Sequence, residues 1–543
     1  MSYAITQSCC SDATCVSVCP VNCIHPTPDE PDFGTTDMLY IDEDTCIDCG
    51  ACADACPVDA IRPADRLLGP QSIFVDLNRA YYADREVDHA WGEPQFPASL
   101  PSPSRGLRVA VVGTGPAASY TAQELLYATD AEVTMIDRLP VPGGLVRAGV
   151  APDHPSTKRI GDTFASMWDN PRLHLVANLD VGRDVTRADV LDHHHAVVYA
   201  TGAASDRALD VPGEDLPGSI SATDVVRWYN GDPLARVEAP VLTSPRAVVV
   251  GNGNVGLDVA RILTGDPERL ASTDISDDAL AALRDGALHE VVVLGRRGPE
   301  HAAYTGPELL ALAHRLDAEL VVADDPVTRA TIAEAAPGTR AALLRDVPLV
   351  DVDLTAPPAP GRRIVLAFGR PTTGLVGGDR VEAVLTGAGD ADAPTGSVVA
   401  GLVVRAVGYR GRPVADLPFD DVSGTVPHRA GGVVDADGER VPGTYVAGWI
   451  KRGPSGGIGA NRSCAAETVA TLLDDLAHDR VHAPPRGSAA FARLVRKRQG
   501  DALGLRHVKN IDRTEREAGE LAGRPRVKLA TVPDLLAAGR RRR

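Results

Sequence analysis

The chain has 543 residues, of which 44% are hydrophobic and 24% charged, and its net charge at pH 7 is −18. Its length predicts roughly three or four domains, and its near-average composition excludes a wholly disordered or fibrous protein. The acidic balance argues against nucleic acid as a partner, because phosphate binding needs a basic surface. No apolar run is as long as a membrane span, and the first ten residues do not resemble a secretion signal. We therefore expect a cytoplasmic protein without membrane contact.

Cysteine is concentrated at the start of the chain, where nine of the ten cysteines precede Pro57. In a reducing compartment, clustered thiols indicate metal or cluster ligation more than disulfides. Four of them follow the pattern C-x2-C-x2-C-x3-C-P, in which three cysteines hold one iron–sulfur cluster and the fourth crosses to another. These four are Cys46, Cys49, Cys52 and Cys56. A zinc ribbon would use C-x2-C pairs without the C-x3-C-P part.

The upstream cysteines predict the other half of this arrangement. Cys19, which precedes a proline, is expected to complete a [4Fe-4S] cluster with Cys46, Cys49 and Cys52. Cys56 is then expected to join two upstream cysteines at a second cluster, namely Cys15 and either Cys9 or Cys10.

Only three ligands are evident at the second cluster, since the upstream half lacks the tight C-x2-C-x2-C spacing. The segment resembles seven-iron ferredoxins, in which the cysteine that matches Cys23 is not a ligand. A [3Fe-4S] centre is therefore favoured over a second [4Fe-4S] cluster. The Cys9-Cys10 doublet leaves both the choice of ligand and the iron count open.

The charge of the first 65 residues fits an electron carrier. Twelve Asp or Glu residues stand against one basic residue, Arg62. Such a surface can steer docking onto a basic partner face. The alternative is that these acids only keep the segment soluble.

A glycine-rich turn follows an irregular stretch, residues 67–106, that we interpret as a linker. The apolar run 107–112 predicts a buried strand, and it leads into Gly113-Thr-Gly-Pro-Ala-Ala118 and a helical stretch. In a G-x-G-x-x-A turn the glycines allow a pyrophosphate to approach the backbone at a helix N-terminus. Asp137 ends the next predicted strand, where a carboxylate accepts hydrogen bonds from a ribose diol.

A second glycine turn, Gly251-Asn-Gly-Asn-Val-Gly256, follows the apolar run 247–250. The next predicted strand, 291–294, ends at Gly295 and the pair Arg296 and Arg297. An NAD site would have a carboxylate there, whereas two arginines suit the 2′-phosphate of NADP. The second turn therefore predicts an NADPH site.

Two dinucleotide turns in one chain predict two different nucleotides. The order of a glycine turn, a later glycine turn and a return segment resembles that of flavoproteins with paired dinucleotide-binding domains, which implies FAD first and NADPH second. The expected fold class is α/β, with two Rossmann-like domains preceded by a small α+β ferredoxin domain. The expected division is a ferredoxin-like domain at 1–66, an FAD domain at 107–209 and 398–480, an NADP domain at 210–397, and a C-terminal extension with a basic tail at 481–543.

Several motifs carry a resemblance to adrenodoxin-reductase-like ferredoxin:NADP reductases over about residues 107–476. They are Gly113-Thr-Gly-Pro-Ala117, the run 142–155, Gly251-Asn-Gly-Asn-Val255, the run 257–263, Arg296-Arg-Gly-Pro299 and the run 448–458. With the cysteine-rich segment in front, the whole chain resembles a fusion of a ferredoxin with such a reductase.

The resemblance implies the cofactor contacts by position. The implied FAD contacts are Gly113, Gly115, Ala117, Asp137, Leu145, Val181, Trp449, Gly456, Gly457 and Ile458. The implied NADP contacts are Gly251, Asn252, Gly253, Asn254, Arg296, Arg297, Glu308 and Gly456. His154 lies in the motif that faces the flavin edge in relatives, so we expect it to tune nicotinamide placement or flavin potential.

The implied activity is that of a ferredoxin:NADP reductase. NADPH would give a hydride to FAD, and single electrons would pass to the clusters of the chain's own segment, to an external ferredoxin, or to a cytochrome P450-type acceptor. Two alternatives stay open: an electron-input subunit of a larger redox enzyme, and an NADPH diaphorase whose cluster domain is structural or sensing.

Removing either arginine of the pair should weaken NADPH and spare NADH. We expect Arg296→Ala and Arg297→Ala each to raise the KM for NADPH by about tenfold, because each change removes a charged hydrogen bond to the 2′-phosphate. Steady-state kinetics with both nucleotides checks this, and equal losses for NADPH and NADH would contradict the assignment.

Overall fold

The computed structural model describes residues 2–83, 85, 87–90, 106–235, 240, 242–315, 317–387 and 395–541. The Pro/Ser-rich end of the expected linker, residues 96–104, and the last two residues of the basic tail lie outside this range. The described residues form a cysteine-rich unit, two seven-stranded sheets, a three-stranded sheet and a C-terminal helical extension. The predicted α/β fold class is thereby confirmed.

The cysteine-rich unit contains two small antiparallel sheets. Strand β1 pairs with β4, and β2 pairs with β3. The elements are β1 (Tyr3–Ile5), α1 (Thr14–Val18), β2 (Ile24–His25), β3 (Tyr40–Ile41), α2 (Ala51–Ala55), β4 (Ile61–Pro63) and α3 (Ile73–Tyr82).

Helix α3 lies in the segment that we interpreted as a linker. The buried Asn78 amide joins it to two strands: its Oδ1 accepts from the Ile5 and Ile41 amides at 3.1 and 2.9 Å, and its Nδ2 donates to the Ile5 carbonyl at 2.9 Å. These hydrogen bonds from one side chain of α3 to two strands hold the helix against the cysteine-rich unit. We therefore propose that this unit extends to Tyr82.

The first nucleotide-type unit begins after residue 106. Strands β8, β5, β6 and β7 are neighbours in this order and run parallel to one another. The elements are β5 (Arg108–Val112), α4 (Pro116–Ala128), β6 (Glu132–Asp137), α5 (Leu145–Ala148), α6 (Pro155–Lys158), α7 (Ile160–Ser166), β7 (Leu173–Ala177), α8 (Arg187–Leu191), β8 (Ala196–Tyr199) and β9 (Ser205–Asp206).

The second unit is a parallel sheet in the order β10-β19-β11-β12-β15-β13-β14, next to a small antiparallel sheet β16-β17-β18. Its elements are β10 (Ser219–Ser221), α9 (Ala222–Asn230), β11 (Arg246–Val250), α10 (Asn254–Thr264), α11 (Pro267–Leu270), α12 (Asp277–Asp285), β12 (Glu290–Leu294), α13 (Gly306–Arg315), β13 (Glu319–Ala323), α14 (Pro326–Glu334), β14 (Leu349–Val350), β15 (Arg363–Ala367), β16 (Thr372–Val376), β17 (Ala383–Thr386), β18 (Gly396–Val399) and β19 (Leu402–Arg405).

Strand β19 affects the expected domain boundary at 397. It pairs with both β10 and β11, so the second sheet continues to Arg405. A parallel strand between two others cannot leave the sheet without exposing their backbone groups. We therefore propose that the second nucleotide domain ends after Arg405.

The chain then returns to the first unit. Strand β20 (Tyr409–Arg410) pairs with β9, and three further strands complete the first sheet in the order β21-β22-β23-β8-β5-β6-β7. These elements are β21 (His428–Arg429), β22 (Gly432–Val434), β23 (Arg440–Val446), α15 (Trp449–Arg452) and α16 (Ala460–Ala477). Within the described part of the chain, no helix combines the length and apolar character that crossing a membrane requires.

The C-terminal extension is folded and joined to the rest of the molecule by buried charges. It consists of α17 (Ser488–Arg498), α18 (Leu505–Ala522) and α19 (Val532–Arg540). The fully buried Glu515 binds Arg147 of the first unit at 2.6 Å and Arg526 at 3.0 Å. Its pKa is lowered because these two guanidinium groups outweigh the effect of burial.

Loss of the Glu515 carboxylate should destabilise the protein. We expect Glu515→Ala to lower the free energy of unfolding by about 3 kcal/mol, since it leaves Arg147 and Arg526 without their buried partner. Chemical denaturation measures this effect, and Glu517→Ala is the control, because Glu517 is 66% exposed. Equal stability of the two variants would contradict this role of Glu515.

Candidate functional site

The first glycine turn fits tightly between β5 and α4. Gly113 has φ +116°, and a Cβ there would lie 2.4 Å from the Ala200 carbonyl oxygen. Only glycine fits this position, so the backbone of the turn lies open at the N-terminus of α4. Gly115 is the residue before that helix.

Asp137 lies beside this turn at the end of β6, as predicted from the sequence. Its carboxylate accepts hydrogen bonds from the Thr114 hydroxyl and from the Leu139 amide, the latter at 2.9 Å. Burial raises its pKa, and these hydrogen bonds oppose that rise. The strand and the turn thus bring a carboxylate and bare backbone amides together, as a dinucleotide needs.

Among the other residues with implied FAD contacts, Val181 differs from the rest in its surroundings. Ala117 approaches Gly448, directly before Trp449, so closely that a Cβ on Gly448 would lie 2.4 Å from it. Leu145 begins α5 and is 40% exposed. Gly456 and Gly457 line a cleft with Trp449, and Ile458 follows them. Val181, by contrast, is packed in an apolar cluster of the first sheet.

The second glycine turn repeats the design of the first. A Cβ on Gly251 would lie 2.3 Å from the Ala406 carbonyl oxygen. Asn252 Oδ1 accepts a hydrogen bond from the Ala303 amide at 3.2 Å, and Asn254 Oδ1 accepts one from the Thr305 amide at 2.8 Å. These bonds fix the turn against the segment that leads into α13.

Arg296 and Arg297 are exposed at the carboxyl end of β12. They line the same cleft, of about 1060 Å³, as the second glycine turn, Glu308 and Trp449. Cys9 and Cys10 of the cysteine-rich unit also line it. One cleft therefore brings together predicted residues from three parts of the sequence.

A buried ionic cluster lies under this cleft. Arg261, 5% exposed, donates to Asp153 at 2.7 Å, to Asp258 at 2.6 Å and to Glu308 at 2.7 Å. His154 Nε2 is 3.9 Å from Glu308 Oε1. Potential ligand atoms of His154, Asp258 and Glu308 all lie within 4.8 Å of one another.

The sequence predicts roles for His154 and Glu308 but none for Asp153, Asp258 or Arg261. The i, i+3 spacing of Asp258 and Arg261 on one helix was a visible signal. Their long-range partners at positions 153 and 308 could not be deduced from the sequence.

The environment separates the pKa values of the two aspartates. Burial raises the pKa of Asp258 to about 6. Burial also disfavours the charge on Asp153, but the Arg261 guanidinium outweighs it and lowers the pKa of Asp153 to about 2. Asp258 can therefore hold a proton up to about pH 6, a range in which Asp153 stays ionised.

The cysteines form two groups. The first lines a small cavity and contains Cys9, Cys10, Cys15 and Cys56. The thiols of this group have raised pKa values, mainly because they are buried. Both members of the Cys9-Cys10 doublet line this cavity, so the position in the fold does not select one of them as the upstream ligand.

The second group surrounds Cys52, whose pKa rises to about 12 through burial and then through the neighbouring thiols of Cys46, Cys19 and Cys49. Cys23, which the prediction left out, has its Sγ 3.4 Å from that of Cys19. All of these cysteines are free thiols.

The cysteine-rich unit packs directly on the loop that begins α16. The Gly459 amide donates to the Cys10 carbonyl at 2.8 Å, and Arg462 donates to the Asp12 carbonyl at 3.0 Å. A Cβ on Gly459 would lie 2.2 Å from the Ser11 backbone. The first cysteine group is thus held next to the Gly456–Gly457 segment.

Comparison with known proteins agrees with this arrangement. A 4Fe-4S binding domain matches residues 39–62, and a pyridine nucleotide-disulphide oxidoreductase domain matches residues 107–295. Together with the two sheets and the cysteine groups, these matches define an iron–sulfur oxidoreductase of the pyridine-nucleotide class.

Individual relatives identify the family. The chain is 46% identical to the probable ferredoxin/ferredoxin--NADP reductase of Mycobacterium tuberculosis (strain ATCC 25618 / H37Rv), over 99% of this chain and 95% of that protein. It is 43% identical to the NADPH-ferredoxin reductase FprA of the same strain, over 79% of this chain and 98% of that protein. A solved structure of M. tuberculosis FprA in complex with NADPH has a TM-score of 0.74 at 42% identity, over 80% of this chain and 100% of that chain. The chain belongs to the ferredoxin/ferredoxin--NADP reductase family, which confirms the resemblance.

Asp258 should lose its proton near pH 6. In an infrared titration between pH 5 and pH 7.5, we expect a protonated-carboxyl band that disappears with a midpoint near pH 6 and is missing in Asp258→Asn. Asp153→Asn should keep the band but move its midpoint to lower pH, because the Asp153 charge raises the pKa of Asp258. A band that survives in Asp258→Asn would contradict the assignment.

Proposed function

We propose that this protein is an FAD-dependent ferredoxin:NADP+ oxidoreductase that passes electrons from NADPH to iron–sulfur clusters of its own N-terminal unit and to an external ferredoxin-type partner. The observation that carries the proposal is the cleft that joins the second glycine turn and the Arg296–Arg297 pair to Cys9 and Cys10. The residues that would select the nucleotide therefore lie beside the thiols that would hold an electron-accepting cluster.

The second unit would bind NADPH through its own backbone and charges. The open amides after Gly251 lie at the N-terminus of α10, an 11-residue helix, and can donate hydrogen bonds to the pyrophosphate. Arg296 and Arg297 would hold the 2′-phosphate, and Glu308 and Gly456 would contact the remainder of the nucleotide. The exposure of both arginines leaves them accessible to such a ligand.

The first unit fits FAD. Gly113 leaves the backbone bare at the start of α4, and Asp137 offers a carboxylate for ribose hydroxyls. Ala117, Leu145, Trp449 and the segment 456–458 would contact the rest of the cofactor. Bound FAD supplies the conversion between a two-electron hydride and single electrons.

The thiols fit iron–sulfur ligation, since they are free, clustered and close to one another. Cys19, Cys46, Cys49 and Cys52 would hold a [4Fe-4S] cluster. Cys15, Cys56 and Cys9 would hold the second, for which [3Fe-4S] is favoured. Cys10 lines the same cavity, so a fourth thiol is at hand for a [4Fe-4S] form.

The buried ionic cluster would position the nicotinamide and hold a proton. Hydride transfer itself needs alignment more than acid–base chemistry. Glu308 lines the cleft, His154 Nε2 lies 3.9 Å from its carboxylate, and Arg261 holds Glu308 in place. Asp258, whose pKa is raised to about 6, can hold a proton in mildly acidic solution.

The acidic N-terminal unit suits a partner with a basic face, whether a ferredoxin-type carrier or a cytochrome P450-type acceptor. The need for reduced thiols favours the cytoplasm as the location. The cysteine groups support both the proposed acceptor and the proposed location, because cluster ligation needs reduced cysteines.

An anaerobic titration of the full-length protein with NADPH tests the proposal. We expect the flavin absorbance to bleach and reduced-cluster signals to appear in low-temperature EPR, with two electrons accepted per NADPH. NADH is the control and should act far more weakly, because it lacks the 2′-phosphate. Bleaching without any cluster reduction would contradict internal transfer, and the lack of bound FAD would contradict the assignment of the first unit.

A further inference from the structure

A loop of the cysteine-rich unit forms part of the wall of the nucleotide cleft. Phe33, Gly34, Thr35, Thr36 and Asp37 line the cleft together with the second glycine turn and Arg296. The loop is ordered by its own hydrogen bonds, since the Thr35 and Thr36 amides donate to the Asp32 carbonyl at 3.0 and 3.2 Å. The nucleotide cleft is thus bounded by a domain that is not a nucleotide-binding domain.

Asp37 makes the polar contacts of this loop with the second unit. Its Oδ2 accepts from the Gly306 amide at 2.7 Å, and its Oδ1 lies 3.5 Å from Arg340 Nη2. Gly306 is the first residue of α13, and Glu308 lies in the first turn of that helix. The Asp37 carboxylate therefore contacts the helix that also carries a predicted NADP contact.

The groups that hold Asp37 are the kind that bind anions. A helix N-terminal amide and a guanidinium both stabilise negative charge. Arg340 lines the cleft and is 41% exposed, and its Nη1 donates to the Ala302 carbonyl at 2.7 Å. Its remaining donors thus lie where both Asp37 and an anionic nucleotide can reach them.

We propose that Asp37 sets the affinity of the cleft for NADP(H) by competing with the nucleotide for Arg340 and by adding negative charge to the cleft wall. This inference rests on the proposed function, because NADP(H) is the ligand of the cleft. The nucleotide carries several negative charges, so a carboxylate on the wall opposes its binding. Asp37 is a residue that determines affinity; it takes no part in hydride transfer.

The competition has a consequence for the cysteine-rich unit. Coupling between two binding events is reciprocal. If the Asp37 contact weakens nucleotide binding, then a bound nucleotide weakens the Asp37 contact to the same extent. Occupation of the cleft should therefore loosen the loop 33–37, while Gly459 and Arg462 keep the unit attached elsewhere.

Calorimetric titration of the oxidised holoprotein with NADP+ tests this inference without any electron transfer. We expect Asp37→Asn to tighten NADP+ binding by about fivefold, because the amide keeps the shape of the side chain and removes its charge. The gain from Asp37→Asn should be clearly smaller in an Arg340→Gln background, because the competition for Arg340 is absent there and only the effect of the charge on the cleft wall is left. Unchanged visible absorbance of the clusters and flavin would show that each variant is intact.

The matched control is Asp44→Asn, which removes the same charge from an exposed position of the same unit. It should change the affinity less than twofold, since surface charges are screened over about 10 Å at ordinary salt. Equal tightening in both variants would reduce the effect to net charge and overturn the inference.

Hydrogen exchange gives a second readout. We expect NADP+ to increase exchange in the peptide that covers residues 33–40 of the wild-type protein. Unchanged or weaker NADP+ binding by Asp37→Asn overturns the inference, and so does a gain that is undiminished in the Arg340→Gln background. If NADPH reduces the wild-type flavin normally, such a result leaves the proposed function intact, whereas a wild-type protein that binds no NADP+ would overturn both.

Discussion

The buried guanidinium of Arg261 holds together the parts of the chain that form the nucleotide cleft. It sits on α10, directly after the second glycine turn, and binds Asp153 from the first unit and Glu308 from α13. A buried charge is costly unless it is paired and hydrogen-bonded. Any movement of α10, α13 or the 151–155 segment away from the others would leave this charge without a partner, so the cluster fixes their relative positions. His154 lies next to Glu308 because of this arrangement.

The cysteine-rich unit contacts the two nucleotide-type units at two sides of the same cleft. On one side the backbone of Cys10 and Ser11 contacts Gly459 so closely that no side chain fits between them. On the other side Asp37 contacts the start of α13. The unit is thus docked against the cleft in which we propose that the nucleotide binds.

The C-terminal extension stabilises both nucleotide-type units together. Lys528 lies 2.9 Å from Asp274 of the second unit and donates to the Asn230 side chain at 3.1 Å. Lys158 of the first unit binds the same two partners at 2.7 and 3.0 Å. Burial lowers the pKa of Lys528, while Asp274 favours its charged form. These contacts make the extension a bridge between the two units.

The sequence by itself determined the elements whose cause is local. Each glycine turn was readable because only glycine tolerates the close backbone approach that follows a buried strand, and the cysteine spacing was readable because cluster ligation fixes it. The arginine pair was readable from its place at a strand end. The tertiary structure alone decided which distant groups meet: Asp153 and Glu308 at Arg261, Cys23 beside Cys19, Asn78 between β1 and β3, and Asp37 at the nucleotide cleft. These contacts join residues far apart in the chain, so they depend on how whole units pack. A local pattern of residue types cannot predict that packing.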